Sequence, residues 1–194
     1  MQANKIWLKL YATSPLPDGA AFVAVFHELI RKKSLPELMV DVVDYGHVHD
    51  GPRVLFVGHE GDYSIDHGEA RPGLAYQRKR ATVPGDGSFA AHLDDSLRRL
   101  LDLAKRLGDE PTLTGLSLGT AEVGLRIADR LHAPNDAATF EAVKGDLEAA
   151  AKRLWGDGAT VAYEPGDGAG MFAARLRSPG GTPDLGELRA RATR

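Results

Sequence analysis

Residues 38–80 read LMVDVVDYGHVHDGPRVLFVGHEGDYSIDHGEARPGLAYQRKR, and this stretch decides the fold class. Runs of β-branched and apolar residues follow one another at residues 38–48, 53–58, 62–66 and 74–80. Glycine-containing turns separate these runs, and no segment with helical spacing lies between them. Strands joined this closely pair as hairpins, so the stretch predicts an antiparallel sheet.

The rest of the chain adds three main helices and further strands. Apolar residues recur at helical spacing over residues 18–33, 89–107 and 137–155. Strand patterns cover residues 5–11, 113–118, 123–131, 160–163 and 171–176. Because strict β-α-β alternation is absent, we expect an α+β two-layer sandwich, with a mostly antiparallel sheet and its helices on one face.

Two of the predicted helices resemble each other in sequence. Residues 18–29 read DGAAFVAVFHEL, and residues 136–147 read DAATFEAVKGDL. A strand precedes each helix and a hairpin follows it, so residues 5–58 and 123–177 are candidate halves of a duplicated β-α-β-β, ferredoxin-like unit. The alternative is a coincidence between two alanine-rich amphipathic helices. The first helix is apolar around more of its circumference, which predicts burial on more than one side, either between the two halves or in a subunit interface.

Composition narrows the class of protein. The 194 residues are 43% hydrophobic and 26% charged, which suits one α+β domain over residues 1–177, followed by a linker and a short tail at residues 178–194. The absence of cysteine excludes disulfides and thiol catalysis. A net charge of −3 disfavours nucleic acid as a partner. No signal-peptide pattern or membrane-length apolar stretch is found, so we expect a cytoplasmic protein without a membrane partner.

Four of the seven histidines lie between residues 47 and 67, interleaved with acidic residues. Histidine titrates near neutral pH and is the commonest metal ligand, so this stretch is the first place to look for chemistry. Pro52 cannot donate a ladder hydrogen bond, which predicts a hairpin loop at residues 49–52 with Val48 opposite Arg53. In that register His47 and His59 lie on opposite faces, roughly 16 Å apart, and cannot share one metal ion.

The two loops of the histidine stretch therefore give two separate hypotheses. His47 and His49 could hold a divalent metal if a third ligand joined them; the alternative is that His47 packs on Tyr45 and His49 is solvated. His59, Glu60 and Asp62 form a candidate catalytic group, because a histidine beside carboxylates can act as a general base. The alternative there is a glycine turn with solvated charges.

A third candidate site is cationic. Arg78, Arg80 and Ser88 flank the loop before the second helix, where backbone N–H groups suit an anion. A solvated strand end, with Ser88 as a simple N-cap, explains the same residues. Arg126 is assigned to the polar face of its strand. The aromatic residues Tyr45, Trp7, Trp155 and Phe172 are predicted to lie in the core.

No motif in the chain identifies a reaction. The glycine patterns that bind nucleotide cofactors or phosphates and the nucleophile elbow of hydrolases are absent, so no nucleotide cofactor is expected. Whether the chain is an enzyme stays open. We favour a non-catalytic module that binds a small molecule, or that assembles with a protein partner or as a homodimer. The alternative is a histidine/carboxylate enzyme, with or without a metal, centred on residues 47–67.

Overall fold

The computed structural model of the protein describes residues 5–79, 87–166 and 170–193. Within these ranges a single antiparallel sheet has the strand order β2-β3-β4-β5-β1-β6-β8-β7. Its strands are β1 (Ile6–Tyr11), β2 (Met39–Asp44), β3 (Pro52–Gly58), β4 (Gly61–Asp66), β5 (Gly73–Arg78), β6 (Glu122–Ile127), β7 (Thr160–Tyr163) and β8 (Phe172–Arg177). The helices are α1 (Gly19–Lys32), α2 (Phe89–Gly108), α3 (Ala137–Trp155) and α4 (Leu185–Ala192).

One face of the sheet is covered by helices, and the other is not. Alternate residues of the central strands, such as Leu8, Tyr76 and Leu125, are buried on the covered face. There α1 packs against β2 and β3, α2 against β1 and β5, and α3 against β7 and β8. The prediction of an α+β two-layer sandwich is therefore confirmed. We call the other side the helix-free face.

Polar caps define where the helices begin. Ser88 accepts a hydrogen bond from the Ala91 N–H at 3.2 Å, and Asp136 accepts one from the Thr139 N–H at 2.7 Å. Such caps satisfy backbone donors that have no partner inside the helix. The predicted tail contains a further short helix, α4, whose Leu188 is fully buried against the body of the protein.

The loop between β2 and β3 is longer than the sequence pattern predicts. Asp44 lies opposite Val54, so residues 45–51 form the loop and the predicted pairing of Val48 with Arg53 is wrong. The Asp44 carboxylate accepts a hydrogen bond from the Gly46 N–H at 2.7 Å, which ends β2 early. The hydrogen bond from the N–H group two residues further on replaces a continuation of the β-ladder, as is common for aspartate side chains at turns.

The ferredoxin-like duplication is not confirmed. The order β-α-β-β occurs at both ends of the chain, but β4 and β5 separate the first hairpin from β1, whereas β8 pairs directly with β6. Helix α1 packs mainly on β2 and β3 and lies at one side of the helical layer, so its predicted burial between the two halves is wrong, while its burial in a subunit interface stays a prediction. Residues 113–118 form turns and a single bridge rather than a strand.

None of the helices in the described part of the chain is both long and apolar enough to cross a membrane.

Candidate functional site

The centre of the helix-free face is built from small residues around β1. Lys9 lies opposite Ala75 of β5 and Gly124 of β6, and Tyr11 lies opposite Gly73 of β5. A Cβ atom added at Gly124 would lie 2.2 Å from the Tyr11 hydroxyl, so the tyrosine ring occupies the space that a side chain would fill. The small neighbours allow the long side chains of β1 to lie across the adjacent strands.

Lys9 is fully buried although it points away from the hydrophobic core. Its ammonium group pairs with the Asp66 carboxylate and donates to the Gly68 carbonyl at 3.2 Å. The rings of Trp7 and Tyr11 lie on either side, each with its centroid 5.8 Å from Nζ. Burial lowers the pKa of Lys9, and the hydrogen bond to Asp66 opposes that effect. The carboxylate and carbonyl thus replace the water that a buried ammonium loses.

A cavity of about 290 Å³ has this buried pair in its lining, and we call it the Lys9 cavity. Its walls combine one aromatic ring with charged groups of both signs from segments far apart in sequence: Trp7, Lys9, Asp50, Asp66, Glu69 and Arg126. A concave site that joins an apolar surface to a few convergent polar groups is typical of small-molecule sites.

The part of the helix-free face around Tyr11 is closed by an ionic network. The Arg71 guanidinium lies 3.6 Å from the centre of the Tyr11 ring. Glu122 accepts hydrogen bonds from Arg71 at 2.8 Å, Arg175 at 2.7 Å and Arg177 at 2.8 Å. Burial raises the pKa of Tyr11 to about 12. This network covers the tyrosine and leaves the Lys9 cavity as the concave part of the face.

A second ionic cluster lies on the helix-covered side, beneath the turn that joins β3 to β4. We call it the Glu37 cluster; its members are Glu37, Arg78, Asp95 and Arg99. Glu37 pairs with Arg99 at 2.9 Å, and Asp95 pairs with Arg78 and with Arg99. The side chains of Glu37, Arg78 and Asp95 are exposed by 1%, 0% and 3%. Asp95 also pairs with Arg98, whose side chain is 35% exposed, while the charges of the four members are almost completely removed from water.

Glu37 also fixes the turn itself. Its carboxylate accepts hydrogen bonds from the Tyr63 hydroxyl at 3.0 Å and from the N–H groups of Glu60 and Gly61 at 3.1 and 3.3 Å. Burial raises the pKa values of Tyr63 and Tyr76 and lowers that of Arg78. These contacts tie the turn to the segment between α1 and β2 and, through Arg99, to α2, which indicates a structural role for the cluster.

The candidate metal ligands His47 and His49 lie exposed in the loop at residues 45–51. The rings of His47 and Tyr45 are in edge contact, with centroids 6.1 Å apart. Across residues 5–79, 87–166 and 170–193, no three histidine or acidic side chains are grouped so that they could hold a metal ion. The metal site at His47 and His49 stays a prediction for elemental analysis to test.

The candidate catalytic residues are divided between two faces. His59 Nδ1 lies 2.9 Å from the Glu60 carboxylate, at the edge of the Glu37 cluster. Asp62 lies on the helix-free face, where it pairs with Lys79 at 2.7 Å. The structure thus brings His59 to Glu60, while Asp62 pairs elsewhere, and the general-base hypothesis stays untested.

The candidate anion-binding residues have structural partners where they can be described. Arg78 is buried against Asp95, and Ser88 caps α2. Arg80 lies outside the described residues. An anion at this helix N-terminus stays a prediction.

The residues of the Lys9 cavity were largely missed by sequence reasoning. Trp7 was predicted to be a core residue, and this is wrong: it lies beside Gln77 and Arg126 on the helix-free face. The usable signal is the pattern Trp7-x-Lys9-x-Tyr11, which places one cation between two aromatics on the same side of a strand. The histidine stretch does supply lining residues, but these are Asp50, Asp66 and glycines rather than any of its histidines.

Compared with known protein families and with curated proteins, the chain matches no family model and no curated sequence.

Proposed function

We propose that this chain is a non-catalytic module that binds a small polar molecule in the Lys9 cavity. We also propose a cytoplasmic location, which the lack of cysteine fits. The observation that carries the proposal is the position of Lys9, a fully buried amine in the wall of a cavity of about 290 Å³. Burying an ion pair is costly, so uncharged residues in place of both Lys9 and Asp66 would make a sheet of similar or greater stability. A charged pair kept beside open space is best explained by its use in recognition.

The lining of the cavity suits a ligand with both polar and apolar parts. Trp7 provides an aromatic surface, Lys9 and Arg126 provide cations, and Asp50 and Asp66 provide anions. The volume lies at the lower end of the range for ligand pockets, which favours a small metabolite over a large cofactor.

The indole N–H resonances of the two tryptophans test this proposal. Trp7 lines the cavity, whereas Trp155 is buried at the C-terminal end of α3 and donates to the Thr120 carbonyl at 2.8 Å. We expect a ligand from a panel of amino acids, carboxylates, amines, phosphates, nucleosides and sugars to shift the Trp7 resonance and leave that of Trp155 in place. The Trp7→Phe variant assigns the two signals.

The variant Lys9→Met should abolish the shift, and Lys105→Met, which removes a partly exposed lysine of α2, is the matched control. A ligand that binds Lys9→Met with unchanged affinity would contradict the proposed site. A complete panel without any shift of the Trp7 resonance would also count against the proposal.

Self-assembly or binding of a protein partner is the second candidate function. Leu38 and Val40 are 67% and 60% exposed beside the outer edge of β2, and an apolar cleft of about 260 Å³ adjoins them. Exposed apolar residues at a sheet edge are common at protein interfaces. Sedimentation velocity across a hundredfold concentration range would detect the homodimer, and Val40→Lys should then shift it to monomer.

The alternative of a histidine/carboxylate enzyme has narrower support. Within the stretch at residues 47–67 the His59 ring lies within hydrogen-bond distance of the Glu60 carboxylate, and the Lys9 cavity has none of the four histidines in its lining.

A further inference from the structure

The turn that joins β4 to β5 has an unfavourable backbone conformation at one wall of the Lys9 cavity. Glu69 has φ 63° and ψ 25°, and Ala70 has φ 52°. Left-handed conformations are disfavoured for residues with a Cβ atom, and two in succession are rarer still. Neither residue is glycine, so the turn must be held in place by its surroundings.

Four polar contacts join this turn to residues that line the cavity. Lys9 donates to the Gly68 carbonyl at 3.2 Å, and the Gly68 N–H donates to Asp66 at 3.1 Å. The Glu69 N–H donates to Asp50 at 3.1 Å, and the Glu69 carboxylate pairs with Arg126 across the sheet. The turn thus places the Glu69 carboxylate against Arg126, at the cationic side of the cavity.

Arg126 is well placed to bind a carboxylate, either that of Glu69 or that of a molecule from solution. Its guanidinium lies 5.1 Å from the centre of the Trp7 ring, which holds the group over an aromatic surface. The planar guanidinium matches a carboxylate through two parallel hydrogen bonds. The Arg126 side chain is 29% exposed and that of Glu69 is 37% exposed, so a molecule from solution can reach both.

We propose that Glu69 occupies the position of a ligand carboxylate, and that the natural ligand is a small carboxylic acid whose carboxylate replaces Glu69 on Arg126. This inference rests on the proposed function, because it names the class of molecule that the Lys9 cavity takes. Without ligand the turn is closed on Arg126. When the ligand binds, the turn is released and Glu69 and Ala70 leave their left-handed conformations, which favours binding.

Acetate, succinate and inorganic phosphate are the probes, with the Trp7 indole resonance as the readout. The variant Glu69→Gln removes the internal competitor at nearly constant size. We expect it to bind acetate and succinate about three- to tenfold more tightly than the unmodified chain, since a partly exposed ion pair no longer has to be broken. Arg126→Gln should lose binding of both carboxylates.

Two further variants make the test specific. Glu122→Gln removes another carboxylate of the same face that pairs with arginines but does not line the cavity, so its affinity should equal that of the unmodified chain. Ala70→Gly removes the penalty of a positive φ and should stabilise the closed turn, which predicts weaker binding by about two- to fivefold.

The outcomes separate this inference from the proposed function. If acetate and succinate bind but Glu69→Gln gains no affinity, the role of Glu69 is wrong while the cavity remains a binding site. The inferred ligand class is overturned if phosphate is the one probe that binds. It is also overturned if none of the three probes shifts the Trp7 resonance in the unmodified chain or in Glu69→Gln. The proposed function would then depend on the wider panel of molecules. Retained carboxylate binding in Arg126→Gln would also overturn the inference.

Discussion

The two buried ionic clusters of this protein lie on opposite faces of the same sheet and differ in what surrounds them. In the Glu37 cluster, two carboxylates face two guanidinium groups beneath α2, and the backbone of a turn completes the hydrogen bonds. In the Lys9 cavity, one ammonium group faces one carboxylate beside open space. The comparison indicates a structural role for the Glu37 cluster, whereas the Lys9 pair is the one that the proposed function assigns to ligand binding.

The largest effect is expected from breaking the Glu37 cluster. Glu37→Gln leaves Asp95 as the one carboxylate of the cluster beside Arg78 and Arg99, which should lower the free energy of unfolding by about 3–5 kcal/mol. Urea denaturation followed by circular dichroism measures the change. The control is Glu28→Gln, which removes an exposed i,i+3 pair with Arg31 and should leave the midpoint unchanged. A loss below about 1 kcal/mol for Glu37→Gln would contradict the structural role.

A smaller effect is expected at the Lys9 pair. Lys9→Met alone leaves the Asp66 carboxylate without its ammonium partner and should cost about 2 kcal/mol, because water in the cavity can solvate the acid. The double variant Lys9→Met/Asp66→Asn removes both charges and should return to within about 1 kcal/mol of the unmodified chain, while ligand binding stays lost. Equal damage from the single and double variants would show that the pair is structural, like the Glu37 cluster.

The smallest effect concerns alkaline pH. Burial holds the pKa of Tyr63 well above its usual value, so the folded protein keeps this proton after the unfolded chain has released it near pH 10. The free energy of unfolding should therefore fall as pH rises above 10. Between pH 8 and pH 11, Tyr63→Phe should lose about 1.4 kcal/mol less than the unmodified chain. Parallel pH profiles for the two proteins would contradict this.

The lowered pKa of Lys9 has the opposite effect on the pH dependence of stability to the raised pKa of Tyr63. The two faces of the sheet therefore also differ in their response to alkaline pH. The unfolded chain holds the Lys9 proton to higher pH than the folded protein does, so this residue makes stability rise as pH approaches 10.5. The same pH series on Lys9→Met should show a steeper alkaline loss.

Local patterns in the sequence predicted most of the fold. Helix α3 and strand β7 have the predicted limits, and the N-cap at Ser88 is confirmed, because apolar spacing and capping are properties of neighbouring residues. Helix α4 was missed, since its eight residues have a weak apolar pattern and its only fully buried residue is Leu188. The β2–β3 register was wrong because a side-chain turn at Asp44 outweighed the hairpin pattern.

The candidate site could not be predicted in the same way. Lys9 and Asp66 are 57 positions apart, and Arg126 comes from a strand after α2. Alternation along β1 identifies Lys9 as outward-facing, but only the strand order shows that β1 is central and that Lys9 is covered by its neighbours. The histidine-rich stretch at residues 47–67 supplies Asp50 and Asp66 to the lining of the cavity but none of its histidines, and its candidate sites stay predictions.

The central position of β1 has a consequence for how the chain folds. This strand comes first in the described sequence, yet it pairs with β5 at residues 73–77 and with β6 at residues 124–127. Both edges of β1 can therefore be paired, and its apolar side covered, only when most of the chain is available. Such non-local pairing slows folding. We expect the β2–β5 meander to assemble before β1 is enclosed. During synthesis, residues 6–11 are then the segment in greatest need of protection by a chaperone.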